Sequence, residues 1–237
     1  MFYSEDPSSK WIVRLSEGVH SIALFSTTDK TVNQVFSSSQ FIELYDVYGE
    51  TLLFREGERL VVLDVEKKHL RYISSPSEIF SDAVFSHDGR SVLFGSQISA
   101  DWEIQQYDLQ SSQISTYLKH FRSIRLYKEG AFLADADGSL FYRANADGQI
   151  LNLEQQICID LICRWYLSKD EVIWSSYDSR FTYLHQLKIA NMDYSVHKSR
   201  FLSFFPRFAF NPLSNKLMYL SANLNDIHLY SLDVTKL

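Results

Sequence analysis

Short runs of alternating apolar and polar residues, separated by polar turn residues, make up most of this chain. Residues 84–118, "VFSHDGRSVLFGSQISADWEIQQYDLQSSQISTYL", show the pattern most clearly. A short alternating strand is followed by an Asp-Gly turn, a buried strand "SVLFGS", a longer alternating strand "WEIQQYDL", a polar turn and the strand "ISTYL". Apolar residues at every second position favour strands, and the turn residues favour hairpins between them. We name the four predicted strands a, b, c and d.

The same order of strands recurs along the whole chain. The ends of the predicted c strands fall at Phe25, Asp64, Asp108, Arg143, Leu187 and Ser231. A unit of four strands that repeats about every forty residues is typical of a β-propeller, in which radial stacking buries both faces of each sheet. Because no segment shows a sustained helical period, the pattern predicts an all-β fold, a six-bladed β-propeller of four-stranded antiparallel blades.

We expect one domain over residues 1–237. Its blades are predicted at residues 1–39, 40–78, 79–121, 122–157, 158–202 and 203–237. The sixth repeat supplies strands a, b and c only. Either the last blade has three strands, or its fourth strand lies outside these 237 residues. An unpaired outer edge invites pairing with another chain, so the pattern predicts dimerisation through blade six.

Composition narrows the function classes. The net charge of −6 disfavours a phosphate-binding surface, so we predict no direct contact with nucleic acid. No apolar run is long enough for a membrane span, and no signal peptide is visible. The two cysteines, Cys158 and Cys163, favour buried free thiols over a disulfide, which leaves the cellular compartment open.

Motifs for catalysis are missing from the sequence. It contains no G-x-S-x-G or G-x-G-x-x-G segment and no local histidine pair, so we predict no catalytic residue, no cofactor and no metal site. Asp88 and Asp137 precede glycines and are interpreted as turn residues. Trp102, Trp165 and Trp174 are expected to pack between blades, with an aromatic binding platform as the alternative. Phe85 and Trp102 are therefore predicted to be largely buried, beside an exposed a–b turn at Asp88 and Gly89.

Three charged residues of the predicted a strands allow two interpretations. Aligning the a strands on the residue before each a–b turn brings Asp82, Arg164 and Arg207 to one level. Strand a lines the channel of a propeller. These side chains could therefore bind an anionic group of a ligand, because guanidinium groups pair with carboxylate or phosphate. The alternative, which we favour, is a structural ion pair between Asp82 and an arginine.

The best-formed repeat resembles the TolB-type propeller repeat, a relative of the WD-repeat blade. The matching residues are Phe85, Ser86, Asp88, Gly89, Trp102, Ile104, Tyr107, Asp108 and Leu109, with His87 in place of the usual proline. Propellers of this kind occur alone, in envelope complexes, with peptidase domains, and as sensory domains of ToxR- or CadC-like winged-helix transcriptional regulators. The resemblance implies that the chain is the sensory part of such a regulator. A sensory domain of this kind would be periplasmic, and a propeller outside this class of regulator is expected in the cytoplasm.

Two function classes stay open. The leading hypothesis is a non-catalytic propeller that binds a protein partner or senses a small ligand, as the effector domain of a bacterial regulator. The alternative is a lactonase- or glycosidase-like enzyme with its site at the central channel. That alternative needs several converging carboxylates or histidines, and the predicted a strands offer only Asp46, Asp82 and Asp160.

Overall fold

Every regular element in the part of the chain that the structure describes is a β-strand. This structure is a computed structural model, and it describes residues 2–3, 8–75, 78–128, 130–144, 148–157, 165–167, 171–177, 182–199, 208–211, 216–222 and 227–233. The all-β prediction is confirmed. The chain folds into two compact units, Met1–Leu126 and Tyr127–Leu237. The predicted single domain and its blade boundaries stay predictions.

Unit 1 contains three sheets, each of four antiparallel strands in chain order. The first sheet consists of β1 (Phe2–Tyr3), β2 (Ser9–Ser16), β3 (Val19–Ser26) and β4 (Val32–Ser38). The second consists of β5 (Ile42–Tyr48), β6 (Thr51–Glu56), β7 (Arg59–Asp64) and β8 (His69–Tyr72). The third consists of β9 (Phe80–Phe85), β10 (Ser91–Ile98), β11 (Asp101–Asp108) and β12 (Ile114–Lys119). Each sheet therefore has the predicted a, b, c, d order.

Three further sheets follow among the described residues. The fourth consists of β13 (Ser123–Tyr127), β14 (Gly130–Ala134), β15 (Ser139–Ala144) and β16 (Ile150–Gln156), and the boundary between the units falls within β13. The fifth consists of β17 (Trp165–Leu167), β18 (Glu171–Tyr177), β19 (Thr182–Lys188) and β20 (Tyr194–Ser199). The sixth consists of β21 (Phe208–Asn211), β22 (Lys216–Ala222) and β23 (Ile227–Asp233), the three strands predicted for the last repeat.

Short polar turns join the strands, as the sequence predicts. In the a–b turn of the third sheet, Asp88 Oδ1 accepts hydrogen bonds from the Ser86 hydroxyl and the Arg90 amide. Gly89 in the same turn has φ +67°, and a Cβ there would collide with the Tyr48 ring. The turn roles of Asp88 and Gly89 are confirmed. In the next sheet Asp137 lies in the β14–β15 turn as predicted, and Asp135 caps this turn by accepting from the Asp137 and Ser139 amides.

Apolar faces of neighbouring sheets form the core of each unit. In unit 1, Phe85 is 3% exposed and packs with Leu53, Val92 and Phe94. In unit 2, Trp165 and Trp174 are buried in one cluster with Phe132. The predicted burial of Phe85 and the predicted core packing of these two tryptophans are confirmed. Stacked faces of this kind explain why the b strands are apolar on both sides.

The antiparallel order places the connections of unit 1 at two opposite ends of its sheets. The turns between second and third strands and the connectors from one sheet to the next lie at the same end, which we call the b–c end. The a–b and c–d turns lie at the other end, which we call the a–b end. The strand order of each sheet thus decides which residues can share a surface.

Candidate functional site

The first predicted site residue, Asp82, lies in β9 and is held by two neighbours from β13. Its Oδ2 lies 2.5 Å from Nη1 of Arg125 and accepts a hydrogen bond of 2.6 Å from the Ser123 hydroxyl. The side chain of Asp82 is 14% exposed and that of Arg125 is 26% exposed. Arg164 and Arg207, the other two predicted residues, lie outside the described residues. The structural ion pair therefore has a partner, Arg125, that the sequence alignment missed.

A second carboxylate on the first strands of the sheets is also tied to protein groups. Asp46 follows a β-bulge in β5, and its two oxygens accept from the amides of Val47 at 2.9 Å and Phe85 at 2.8 Å. Because Phe85 belongs to the next sheet, Asp46 joins two sheets of unit 1. Burial raises the pKa of Asp46 to about 6, against the opposing effects of these two hydrogen bonds and of Arg125. Asp160, the third predicted carboxylate, lies outside the described residues.

Tyr45, beside Asp46 in β5, makes a further polar contact between the second and third sheets. Its hydroxyl donates to the carbonyl of Ser81 at 3.2 Å, and its ring meets Phe80 edge-on at 6.4 Å. Burial raises the pKa of Tyr45 to about 12, so its hydroxyl stays protonated at neutral pH. Tyr45, Asp46, Asp82 and Arg125, which we call the polar layer, thus make their hydrogen bonds to groups of the protein itself, which is typical of a polar network that positions neighbouring sheets.

Most of the exposed large apolar side chains described in unit 1 lie at its b–c end. Of the exposed large hydrophobic residues described in unit 1, seven lie at this end: Val13, Leu15, Val19, Phe41, Tyr72, Ile79 and Ile98. Three lie at the a–b end: Val32, Tyr48 and Ile114. Leu15 is 64% exposed at the tip of the β2–β3 hairpin, and the nearby His20 meets Phe41 edge-on at 5.5 Å.

An open cleft lies on the same end, next to Phe41. It has a volume of about 480 Å³ and is lined by Gln40, Glu56, Gly57, Glu58, Arg59 and Tyr72. The Tyr72 hydroxyl donates to Glu56 at 2.8 Å, and the Arg59 guanidinium lies 5.0 Å from the centre of the Tyr72 ring. The cleft therefore combines an aromatic ring, a cation and two carboxylates beside exposed apolar residues.

Trp102 and Arg122 form another feature of the b–c end. The Arg122 guanidinium lies 4.8 Å from the centre of the Trp102 ring, and both side chains are half-buried. The prediction that Trp102 is largely buried holds in part: the residue lies next to the β10–β11 turn and is partly exposed, whereas Phe85 is 3% exposed. The sequence alternation identifies its face of the sheet, but not how far that face is covered.

Unit 2 contains a polar network of its own in the fifth sheet. His185 Nε2 lies 2.6 Å from the Ser176 hydroxyl, and Nδ1 lies 2.7 Å from the Tyr194 hydroxyl. The imidazole stacks on Trp174 at 5.1 Å, and burial lowers its pKa, so it is neutral at pH 7. Both ring nitrogens are occupied, and the network links the three strands β18, β19 and β20.

The described residues contain neither a metal-binding cluster nor a membrane-spanning helix. No group of three or more His, Cys, Asp and Glu among them could hold a metal ion. Within the same residues, no helix has the length and apolarity needed to cross a bilayer. Cys158 and Cys163, whose state the sequence leaves open, lie outside the described residues.

Comparison with known proteins shows what the fold is. No family model and no curated protein matches the sequence. Among solved structures, TolB from Acinetobacter baumannii matches 94% of the chain with a TM-score of 0.70 at 16% identity. The chain spans 60% of the length of that protein.

Two enzyme-related structures are similar as well. An oligogalacturonate lyase in complex with manganese matches 97% of the chain and 87% of its own length, with a TM-score of 0.63 at 8% identity. A candidate 6-phosphogluconolactonase from Bacteroides fragilis matches 98% of the chain and 79% of its own length, with a TM-score of 0.59 at 12% identity. At such identities the likeness shows the fold alone: the chain has the predicted β-propeller fold, similar to that of TolB, and five of the six antiparallel sheets described have four strands.

Proposed function

We propose that this propeller is a non-catalytic binding module that docks a protein partner on the b–c end of unit 1. The observation that carries the proposal is the concentration of exposed apolar residues at that end, with Leu15, Phe41 and Ile98 among them. Exposed apolar residues that cluster on one surface mark interaction sites, whereas single ones scattered over a surface need no explanation.

The composition of the b–c end supports a protein partner over a small apolar ligand. Tryptophan, tyrosine and arginine are the residues that contribute most often to binding energy in protein interfaces. Here Tyr72 contacts Arg59, and Trp102 contacts Arg122, so both pairs join an aromatic ring to a guanidinium. The surrounding charged residues supply the polar rim that such interfaces have.

The contacts on the first strands of the sheets favour binding over catalysis. A catalytic acid or base needs a free lone pair or proton directed at a substrate. The carboxylates of Asp82 and Asp46 instead accept hydrogen bonds from Ser123, Val47 and Phe85 within the protein. A lactonase- or glycosidase-like activity remains the alternative, and turnover on ester, lactone or glycoside substrates would establish it.

Four finer predictions stay part of this proposal. A ligand-binding role for Asp82, Arg164 and Arg207 is retained, although the Asp82–Arg125 pair favours a structural role. The biological context proposed is the effector domain of a ToxR- or CadC-like bacterial regulator, periplasmic in that case. We also propose that the module makes no direct contact with nucleic acid and that blade six is the surface for any dimer.

Site-specific photo-crosslinking in the native host tests the docking surface. Ile98 and Ile114 provide a matched pair, since both are isoleucines of the third sheet and are 45% and 50% exposed at opposite ends. A photoreactive residue at position 98 is expected to capture one defined protein, and the same residue at position 114 is expected to capture none.

Purified partner then gives the decisive measurement. Ile98→Asp is expected to weaken binding by more than about tenfold, because a desolvated charge opposes burial of the contact, and Ile114→Asp is expected to leave affinity unchanged. Equal capture from both positions, or full affinity of the Ile98→Asp variant, would contradict the proposed surface.

A further inference from the structure

Neighbouring residues contact both the backbone and the side chain of Arg122. Its backbone carbonyl accepts a hydrogen bond from the Ser81 hydroxyl. The same carbonyl lies so close to Gly95 that a Cβ at that position would collide with its oxygen. On its side-chain end, the guanidinium lies against the Trp102 ring at 4.8 Å. Backbone and side chain are therefore both positioned before any partner binds.

The guanidinium of Arg122 has no carboxylate partner among the described residues. Its Nε atom is buried and has no hydrogen-bond acceptor in the described part of the chain, although a buried donor without an acceptor is costly. Arg125, three residues further on, forms an ion pair with Asp82 instead. Arg122 is thus an oriented cation whose terminal Nη1 and Nη2 groups, unlike its buried Nε, are the donors left for an acceptor from outside the chain.

An anion is the ligand chemistry that this arrangement recognises. A planar guanidinium binds a carboxylate through two parallel hydrogen bonds, and partial burial beside an aromatic ring strengthens that pairing by excluding water. Ile98 lies four residues before Trp102, at the start of the same turn, and is 45% exposed. The surface therefore suits an acidic side chain with apolar neighbours in the partner.

We propose that Trp102 and Arg122 form an anchor for an aspartate or glutamate side chain of a protein segment that docks on the b–c end. This inference rests on the proposed function and specifies its partner chemistry. The acidic side chain pairs with the Arg122 guanidinium, and flanking apolar residues of the segment cover the exposed part of Trp102. Arginine and tryptophan contribute disproportionately to binding when a partner buries them together.

The test uses the full chain and three short peptides as probes. They are Ac-Ala-Leu-Glu-Leu-Ala-NH2, the same peptide with Gln in place of Glu, and Ac-Ala-Leu-Gln-Leu with a free carboxyl terminus. Binding is followed by NMR on the indole N–H signal of Trp102, which a Trp102→Phe variant assigns. We expect the Glu peptide to shift this signal with millimolar affinity and the Gln peptide to bind at least about fivefold more weakly.

Variants of the arginine separate its roles. Arg122→Gln is expected to reduce affinity for the Glu peptide to that of the Gln peptide. Arg122→Lys, which keeps the charge and loses the fork, is expected to retain only part of the preference. Arg90→Gln is the control, because Arg90 lies at the a–b end with its side chain 84% exposed.

Three results would overturn the anchor: equal binding of the Glu and Gln peptides, no shift of Trp102 by either, or stronger binding of the free carboxyl terminus than of the Glu side chain. The outcome is separable from that of the proposed function. A crosslinked partner that depends on Ile98 but binds Arg122→Gln with full affinity refutes the anchor and leaves the docking surface standing.

Discussion

Replacing Asp46 by asparagine should change how stability depends on pH. Burial raises the pKa of this carboxyl from 3.8 to about 6, so the folded protein binds the proton more tightly than the unfolded chain. The stabilisation from that proton is complete below about pH 4 and is lost as the pH rises through 6. The shift of roughly two units corresponds to about 3 kcal/mol of unfolding free energy.

Asp46→Asn removes this titration and also one hydrogen-bond acceptor. The amides of Val47 and Phe85 then share a single oxygen, which costs about 1–3 kcal/mol at every pH. The difference in unfolding free energy between variant and wild type should therefore move in favour of the variant by about 3 kcal/mol between pH 4 and 7. The absolute difference at one pH decides nothing, because the lost acceptor offsets it.

Urea titrations of both proteins at several pH values, followed by fluorescence, measure the change. Asp88→Asn is the control, since hydrogen bonds to Ser86 and Arg90 lower the pKa of this exposed carboxyl. It should leave the pH dependence between about pH 5 and 7 unaltered. Parallel pH profiles for wild type and Asp46→Asn would refute a raised pKa and the buried link between the second and third sheets.

Three other experiments test the packing of unit 1. Phe85→Ala should lower the unfolding free energy by about 3–5 kcal/mol, and a urea titration that gives less than about 1 kcal/mol would place the ring outside the core. Gly95→Ala should lower the unfolding free energy by about 1–3 kcal/mol or more, because the added Cβ collides with the Arg122 carbonyl. An unchanged melting temperature would show that Gly95 and this carbonyl are not in close contact. A double-mutant cycle with Asp82→Asn and Arg125→Gln should give a coupling energy of about 1–3 kcal/mol, whereas additive effects would mean that the pair contributes nothing.

The repeat pattern predicts the sheets well because each strand carries its own signal. Alternation, a polar turn and a second alternation lie within one repeat, so the hairpins depend on local sequence alone. The a–b turn at Asp88 and Gly89 and the burial of Phe85 follow from such signals. The Trp165 and Trp174 rings are also buried as expected.

The polar layer could not be derived in the same way. The alignment of the first strands assumed regular pairing, whereas β5 has a bulge between Leu44 and Asp46 that changes which side chains share a level. It also left out the fourth repeat, where Ser123 and Arg125 alternate with apolar neighbours in "SIRLY". The same rule, counted back from Tyr127 at the end of that strand, would have selected Ile124, so Arg125 is found as the partner of Asp82 only in the structure.

The exposure of Trp102 depends on contacts between sheets that a sequence pattern does not contain. Its position in an alternating strand indicates which face it occupies, but the end of a sheet is covered only if a neighbouring connector reaches over it. Here the connector places Arg122 on one side of the ring and leaves the residue half-buried.

Hydrogen exchange of the chain with and without its purified partner tests the central claim most directly. Docking on the b–c end predicts added protection of backbone amides in residues 15–19, 39–41, 98–102 and 120–122, which form its turns and connectors. It predicts no change in residues 27–31, 86–90 and 109–113 at the a–b end. Protection confined to the a–b end would contradict the account.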